Sequence, residues 1–217
     1  MQPPEADTLA RGLDRLGLTL DADQQARLLA YQALIAKWNR VYNLTAVRDP
    51  AEMLTHHLLD SLSVVGPLRR HAAGRPLRML DVGSGAGLPG VVLTIAEPSW
   101  HITCVDTVGK KASFIQQAAA ELGLRQLRSE HARVEEMPPA QADVITSRAF
   151  ASLSDFTRLT GKHLAPGGTW MAMKGKAPTA EIAELPATLD VFHVEPLTVP
   201  DLDAERCLVW IRPKAAE

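Results

Sequence analysis

The stretch LDVGSGAGLPG, residues 80 to 90, constrains this chain more than any other. An apolar run reaches an acid, Asp81, and then four glycines follow within eight positions: Gly83, Gly85, Gly87 and Gly90. Glycines at this density after a strand serve a backbone that must turn tightly and come close to a ligand. A tight structural turn with nothing bound is the alternative. The run 77–82 predicts a strand and 88–96 a helix, so the loop becomes the first turn of a βαβ unit.

The texture continues in that way. Further strands are predicted at 101–106, weakly near 126–130, and at 143–147, 169–174, 188–195 and 206–212, with helices at 110–122, 152–164 and 178–185. This alternation predicts an α/β fold, a seven-stranded and mostly parallel sheet with helices on both faces. No helix separates the last two strands, so that pair is expected to be antiparallel. The Gly167-Gly168 pair fits a tight turn feeding the fifth strand. Ahead of residue 67 the pattern is helical. Leu28, Tyr31, Ile35, Trp38 and Tyr42 form one apolar stripe behind a candidate N-cap, Asp21. Asp49-Pro50 breaks it, and a second amphipathic helix carries Met53, Leu54, His57, Leu58, Leu62 and Val65, with Gly66-Pro67 expected to end it. The expected organisation is a helical cap over 1–66 on one compact domain over 67–217.

Ligands of open α/β sheets sit at the carboxyl ends of the strands, beside the first βα turn. The spacing here is G-x-G-x-G, whereas a dinucleotide loop reads G-x-G-x-x-G and a P-loop ends in Gly-Lys-Ser/Thr. The loop contains no lysine, which disfavours a nucleotide triphosphate. Asp81 at the strand end would oppose a pyrophosphate and welcome an amino group. Asp106, ending the second strand, suits hydrogen bonds from a ribose diol, with a turn cap as its plainer role. S-adenosylmethionine meets these conditions: its ammonium can face an acid, its carboxylate can meet backbone N–H groups, and it has no phosphate. A nicotinamide-dependent oxidoreductase fits worse, on the glycine spacing and on Asp81.

Composition excludes other classes. No window approaches eighteen uninterrupted apolar residues, so no membrane span is expected. No secretory signal is visible, and the two cysteines, Cys104 and Cys207, lie in apolar strands as expected of free thiols in a cytoplasmic protein. The net charge of −2 argues against a general nucleic-acid coat. Its distribution is uneven, however. Residues 177–205 hold seven acids and no Lys or Arg, while residues 1–176 hold 20 basic and 17 acidic side chains. A positive surface over the main body is therefore compatible with a negative total.

The motifs KWNRVYNLT (37–45), HHLLDSL (56–62), LDVGSGAGLPG (80–90), GKKASFI (109–115), ARVEEMP (132–138), SRAFASL (147–153) and MKGK (173–176) resemble the glucose-inhibited division protein B family. Those proteins are class I S-adenosylmethionine-dependent methyltransferases that act on guanine N7 in 16S ribosomal RNA. The family often has Leu-Asp-Ser at the end of the second strand, where this chain has Val105-Asp106-Thr107, which keeps the acid and a hydroxyl. The resemblance implies that Gly83 and Leu88 line the methionine and ribose side, with Gly85 and Gly87 in the same loop. It implies that Val134 and Glu135 border the adenine, and that Arg148 lies near the transferring methyl. Guanine N7 has an exposed lone pair and no proton, so a strong base is not required. Arg148 is therefore expected to position a phosphate, guanine O6 or the cofactor's carboxylate.

Candidate RNA contacts are Lys37, Arg40, Arg48, Lys110, Lys111, Arg158, Lys174 and Lys176. Trp38 and Tyr42 could stack on a base, but both fit the buried stripe, and core packing is the expected role. Asn39 and Asn43 lie off that stripe and are read as surface contacts or caps. His56, His57 and Asp60 share a helix; with no third or fourth ligand evident, buried or capping roles are expected and no metal. The expected partner is small-subunit ribosomal RNA or the assembled small subunit, met by a monomer. A small-molecule methyltransferase, with the N-terminal helices closing a pocket, is the alternative; a non-catalytic module that binds the cofactor as a signal is another.

Overall fold

The computed structural model describes residues 4–148, 150 and 152–214. One sheet contains β1 (Arg78–Val82), β2 (His101–Asp106), β3 (Leu127–His131), β4 (Ala142–Ser147), β5 (Leu164–Lys174), β6 (Leu189–Leu197) and β7 (Arg206–Pro213). Their order across the sheet is β3-β2-β1-β4-β5-β7-β6. The first five are parallel, and β7 runs antiparallel to both β5 and β6, as the missing helix predicted. The strand order reverses between β1 and β4, and that switch point is where a crevice opens at the carboxyl ends.

Two strands depart in detail from their sequence signals. β3 is a sheet edge on which only Leu127 is buried, so its mostly polar face left a weak apolar pattern. β5 starts at Leu164, earlier than expected. Leu164 pairs with Ala142, the register then shifts, and Thr169 pairs with Val144. The Gly167-Gly168 pair therefore makes an irregularity inside the strand and not a turn before it. A Cβ on Gly168 would lie 2.7 Å from the Ala142 carbonyl oxygen.

The N-terminal region comprises α1 (Pro4–Leu16) and α2 (Ala22–Tyr42), followed by a composite helix. The composite runs through α3 (Pro50–Met53), a π-helical stretch (Leu54–Leu59) and α4 (Asp60–Leu62). Asp49 caps it, accepting hydrogen bonds from Ala51 N and Glu52 N. Gly66-Pro67 does not end a helix, contrary to expectation. The chain turns at residues 63–64, and α5 (Val65–Ala72) contains both residues. Proline is tolerated there because the first N–H groups of a helix have no intrahelical acceptor.

The remaining helices, α6 (Gly90–Ala96), α7 (Gly109–Glu121), α8 (Leu153–Thr160) and α9 (Thr179–Ala183), lie where the alternation placed them. One core packs the N-terminal helices with α6, α7 and one sheet face; a second packs α8 with the other face. Asp21 caps α2 in a reciprocal box with Gln24. The Gln24 amide also donates to Ile95 O (2.9 Å) and Ala96 O (3.1 Å), capping the far end of α6. Gln24 thus fastens the N-terminal helices to the helix that follows the glycine loop. Gln24→Ala should lower stability by about 1–2 kcal/mol, seen as a fall of roughly 2–8 °C in thermal unfolding. An unchanged midpoint would mean that these bonds are exchanged for water without loss.

Candidate active site

Backbone N–H groups of the glycine loop are almost fully engaged inside the protein. Gly83 N and Ser84 N donate to Val105 O, Gly85 N donates to the Asp106 carboxylate (2.9 Å), and Gly87 N and Leu88 N donate to Ser84 O. From the other side the Tyr31 hydroxyl, fully buried on α2, donates to Ala86 O at 2.6 Å. Gly85 and Gly87 need glycine for different reasons. Gly85 has φ +60° and open space where a side chain would project. Gly87, at φ +95°, would place a Cβ 2.4 Å from Val91. The first faces a space a ligand can use, and the second is packed.

Two cavities meet at Gly83. One, of about 370 Å³, is lined by Gly83, Val105, Asp106, Lys111, Val134, Glu135 and Phe150. The other, of about 450 Å³, is lined by Thr45, His56, His57, Asp60, Gly83, Gly85, Leu88, Arg148, Lys174 and Arg206. Every proposed cofactor residue except Asp81 and Gly87 lies on one of them. The Asp106 carboxylate has the plainer of its two expected roles, capping the loops through Gly85 N and Val108 N (2.8 Å), and it also lines the cavity. A carboxylate has about four lone-pair sites, so two remain for a ligand's hydroxyls. Val134 and Glu135 sit in a 3₁₀ turn, Val134–Glu136. Beneath it, His163 Nδ1 accepts from Ala140 N (3.2 Å) while Nε2 lies 2.8 Å from Val134 O. Those partners require the neutral ring with its proton on Nε2, and burial lowers the His163 pKa accordingly.

Asp81 is where the structure departs most from expectation. It is wholly buried behind the loop, where Oδ2 accepts from Gly90 N at 2.9 Å, and it lines neither cavity. Gly90 has to be glycine because a Cβ there would meet Cys104 Sγ at 2.4 Å and Asp81 Oδ2 at 2.9 Å. Burial raises the Asp81 pKa to about 7, against the Gly90 hydrogen bond and the charge of Arg148, which lower it. Through Oδ2 the carboxyl latches the end of β1 to the start of α6, while Oδ1 is buried without a hydrogen-bond partner among the described residues.

The second cavity is organised around Asp60, which is almost completely buried in α4. Its Oδ2 accepts from Arg148 Nη1 (2.7 Å) and its Oδ1 from Arg206 Nε (2.8 Å). Arg148 Nη1 also reaches His56 O at 3.4 Å. The neighbouring strand end is held by Ser147, whose hydroxyl donates to Val82 O. His57 lies 2.9 Å from the Thr45 hydroxyl, and its pKa is lowered to about 4, chiefly by burial. Asn39, expected at the surface, is buried and braces this wall: its side chain accepts from Thr45 N and donates to Val47 O. Asn43 is the left-handed C-cap of α2.

Of the candidate RNA contacts, Lys37, Arg40, Lys110 and Lys176 are exposed and Lys111 is half-buried beside the first cavity. Lys174 is not open to a partner in the same way; its ammonium is held by both Glu181 oxygens and by Phe150 O. Trp38 stacks on Tyr42 at 5.4 Å and meets Phe114 edge-on, so packing against the core accounts for both. Sequence reading missed the roles of Tyr31, His163, Gly90 and Arg206. The hydroxyl at position 31 of an otherwise apolar stripe was the one available signal.

Residues 24–209 match the family described as rRNA small subunit methyltransferase G. The ribosomal RNA small subunit methyltransferase G of Methylibium petroleiphilum is 60% identical over 216 residues, covering 98% of each chain. That of Leptothrix cholodnii is 59% identical over 212 residues, covering 98% of this chain and 97% of its own. Among solved structures, the 1,6-didemethyltoxoflavin-N1-methyltransferase of Burkholderia thailandensis, with bound S-adenosylhomocysteine, superposes with a TM-score of 0.58 at 16% identity. The match spans 91% of this chain and 92% of that one. Thermus thermophilus TrmN gives a TM-score of 0.57 at 20% identity over 74% of this chain and 53% of its own. These two likenesses concern the fold.

Asp81→Asn keeps an acceptor for Gly90 N and removes the ionisation. The folded-state pKa of about 7 exceeds the ordinary 3.8, so the folded protein binds more protons between those values. Wild-type stability should therefore fall as pH rises from about 4 to about 7. The variant should lack that fall, and above pH 7 it should gain on wild type by on the order of 4 kcal/mol at most. Urea midpoints at pH 5 and pH 8 for both proteins test this; parallel pH dependences would show that Asp81 ionises as freely as an exposed acid.

Proposed function

The chain belongs to the rRNA small subunit methyltransferase G family, and from that premise we propose that it methylates N7 of one guanine of 16S ribosomal RNA in the small subunit. S-adenosylmethionine is the methyl donor. When bound it supplies an electrophilic methyl on a sulfonium, and the residues present suit it. Asp106 has lone pairs to spare toward the first cavity, Val134 offers an apolar wall, and Gly85 leaves open space over the loop. The loop's N–H groups, expected to meet the cofactor's carboxylate, are mostly consumed internally. Arg148, at the end of β4, has Nε and Nη2 left over and is the better candidate for that carboxylate.

The observation that carries the N7 assignment is the occupied state of most ionisable groups in the second cavity. Asp60 is taken by two arginines, Lys174 by Glu181, and His57 is neutral and hydrogen-bonded to Thr45, which leaves His56 as the one ionisable lining side chain without a partner among the described residues. The paired part of this wall orients a nucleophile and holds no free carboxylate to remove a proton from one. Guanine N7 needs no deprotonation, whereas an exocyclic amine does. The remaining task is alignment at about 3–3.5 Å, which can supply as much as ~7–11 kcal/mol in well-oriented cases.

Lys37, Arg40, Lys110 and Lys176 are read as contacts to the RNA backbone. Residues 1–66 act in this reading as a cap on the catalytic domain, and the enzyme works as a cytoplasmic monomer without a metal. Among the described residues no three His, Cys, Asp or Glu side chains cluster as metal ligands, and no helix is long and apolar enough to cross a membrane.

Small subunits from cells lacking the protein should accept one labelled methyl each, at a site cleaved by chemistry specific for N7-methylguanine. Label stable to that chemistry would move the target to another atom. Asp106→Ala should weaken binding of S-adenosylmethionine by about 1–3 kcal/mol, measured by calorimetry; unaltered affinity would leave Asp106 a loop cap only. Arg148→Ala should slow transfer at least tenfold with the fold intact, and wild-type turnover would make it a bystander.

A further inference from the structure

Asp60 is one acid between two guanidinium groups. The cluster of Asp60, Arg148 and Arg206 therefore carries one uncompensated positive charge, and the adjacent Lys174–Glu181 pair is neutral. A purely structural ion pair would need only one arginine. The two arginines also face different ways in the fold. Arg148 ends β4, at the switch point beside the glycine loop. Arg206 opens β7, on the wall formed with the end of β5, where Met173, Lys174 and Gly175 line the same cavity. Arg206 spends Nε on Asp60 and Nη1 on Glu205 O; among the described residues Nη2 has no protein partner, and the side chain is 26% exposed.

The chemistry narrows what this arginine meets. Methylated at N7, guanine gains positive charge, so a second guanidinium has no electrostatic reason to face that edge of the base. A phosphodiester carries a single negative charge, matches the planar fork of arginine, and is attached to every target nucleotide. We propose that Arg206 binds a backbone phosphate at the target nucleotide, and that Asp60 is the positioning residue that holds Arg206 for the RNA and Arg148 for the cofactor. This rests on the reading of RNA as the methyl acceptor. The division also explains why a buried acid sits in a site that has to attract a polyanion: it fixes the orientation of two cations while leaving a net charge of the useful sign.

The test compares wild type, Arg206→Gln and Arg206→Lys as full chains, with small ribosomal subunits and S-adenosylmethionine. KM for subunits should rise at least tenfold in R206Q and recover in part in R206K, while the Kd for S-adenosylmethionine stays within twofold. The slope of log binding constant against log salt for subunits should become shallower in R206Q by ~0.7–0.9, the contribution of one phosphate contact. A higher KM with an unchanged salt slope means Arg206 only supports the wall, and overturns the proposal. Equal losses of cofactor and subunit affinity assign the anion to the cofactor's carboxylate and overturn it too. If R206Q does not fold, R206K decides on the KM for subunits alone: a value equal to wild type rejects the phosphate contact, and a several-fold rise supports it. Wild type that binds S-adenosylmethionine yet methylates no RNA removes the acceptor reading and this inference together, whereas an active wild type matched by R206Q removes this inference only.

Discussion

The structure depends on a loop that cannot hold itself. Residues 83–87 include three glycines at positive φ, a conformation that leaves the backbone few side chains with which to anchor itself. It is held from outside, by the β2 carbonyl of Val105, by the Asp106 carboxylate, by Asp81 at the start of α6 and by the Tyr31 hydroxyl from α2. Each is a buried or half-buried bond that would be expensive to leave unmade. Together they pin the floor shared by both cavities to β1, β2 and α2. The N-terminal helices therefore support the floor of both cavities, through Tyr31 and Gln24, although among the described residues none of theirs lines the first cavity.

Asp60 plays the corresponding part in the second cavity. It connects the composite helix to the end of β4 and to the start of β7, three segments far apart in sequence. The π-helical turn just before it places His57 inward against Thr45 and leaves His56 O toward Arg148. Extra turns of this type commonly occur at functional sites. Burying a carboxylate is unfavourable unless its lone pairs are met, and here two guanidinium groups meet them. Shifting any of the three segments would leave a buried charge incompletely paired, so the acceptor wall behaves as one unit.

What could be read from sequence follows from what each signal measures. Apolar periodicity located the strands and most helices because both faces of a parallel sheet are buried. It gave only a weak signal at β3, whose edge is polar, and failed at Gly66-Pro67, where proline lies in the one part of a helix that has no N–H to lose. Asp106 was legible because its place at a strand end fixes its surroundings. Asp81 has a similar place, but it pairs with Cys104, two residues short of Asp106 along the sheet, and so lies deeper, against the start of α6; periodicity cannot tell which side of a glycine turn an acid will face. The contacts of Asn39 and Lys174 were not legible for a related reason. Polar type suggested exposure, and each instead satisfies partners that come from distant parts of the chain. His163, Arg206 and the Tyr31 hydroxyl act through contacts that no local pattern records.

The acidic stretch 177–205 had no role legible in the sequence, and its contacts supply one. Glu181 holds Lys174, Glu195 holds Arg70, Asp201 holds Arg15, and Glu205 lies near Lys176. Most of these pairs are exposed and add little to stability, ~0–1 kcal/mol each. Their effect is on where positive charge remains. By pairing with cations around the C-terminal hairpin, they leave others with no carboxylate partner among the described residues, Lys37 and Arg40 on α2 and Lys110 and Lys111 at the start of α7 among them, with Arg125, Arg128 and Arg133 near the β3 edge. Overall charge, which argued against a general nucleic-acid coat, is the wrong quantity for such a protein; which individual cations the acids leave unpaired decides where a polyanion can be met.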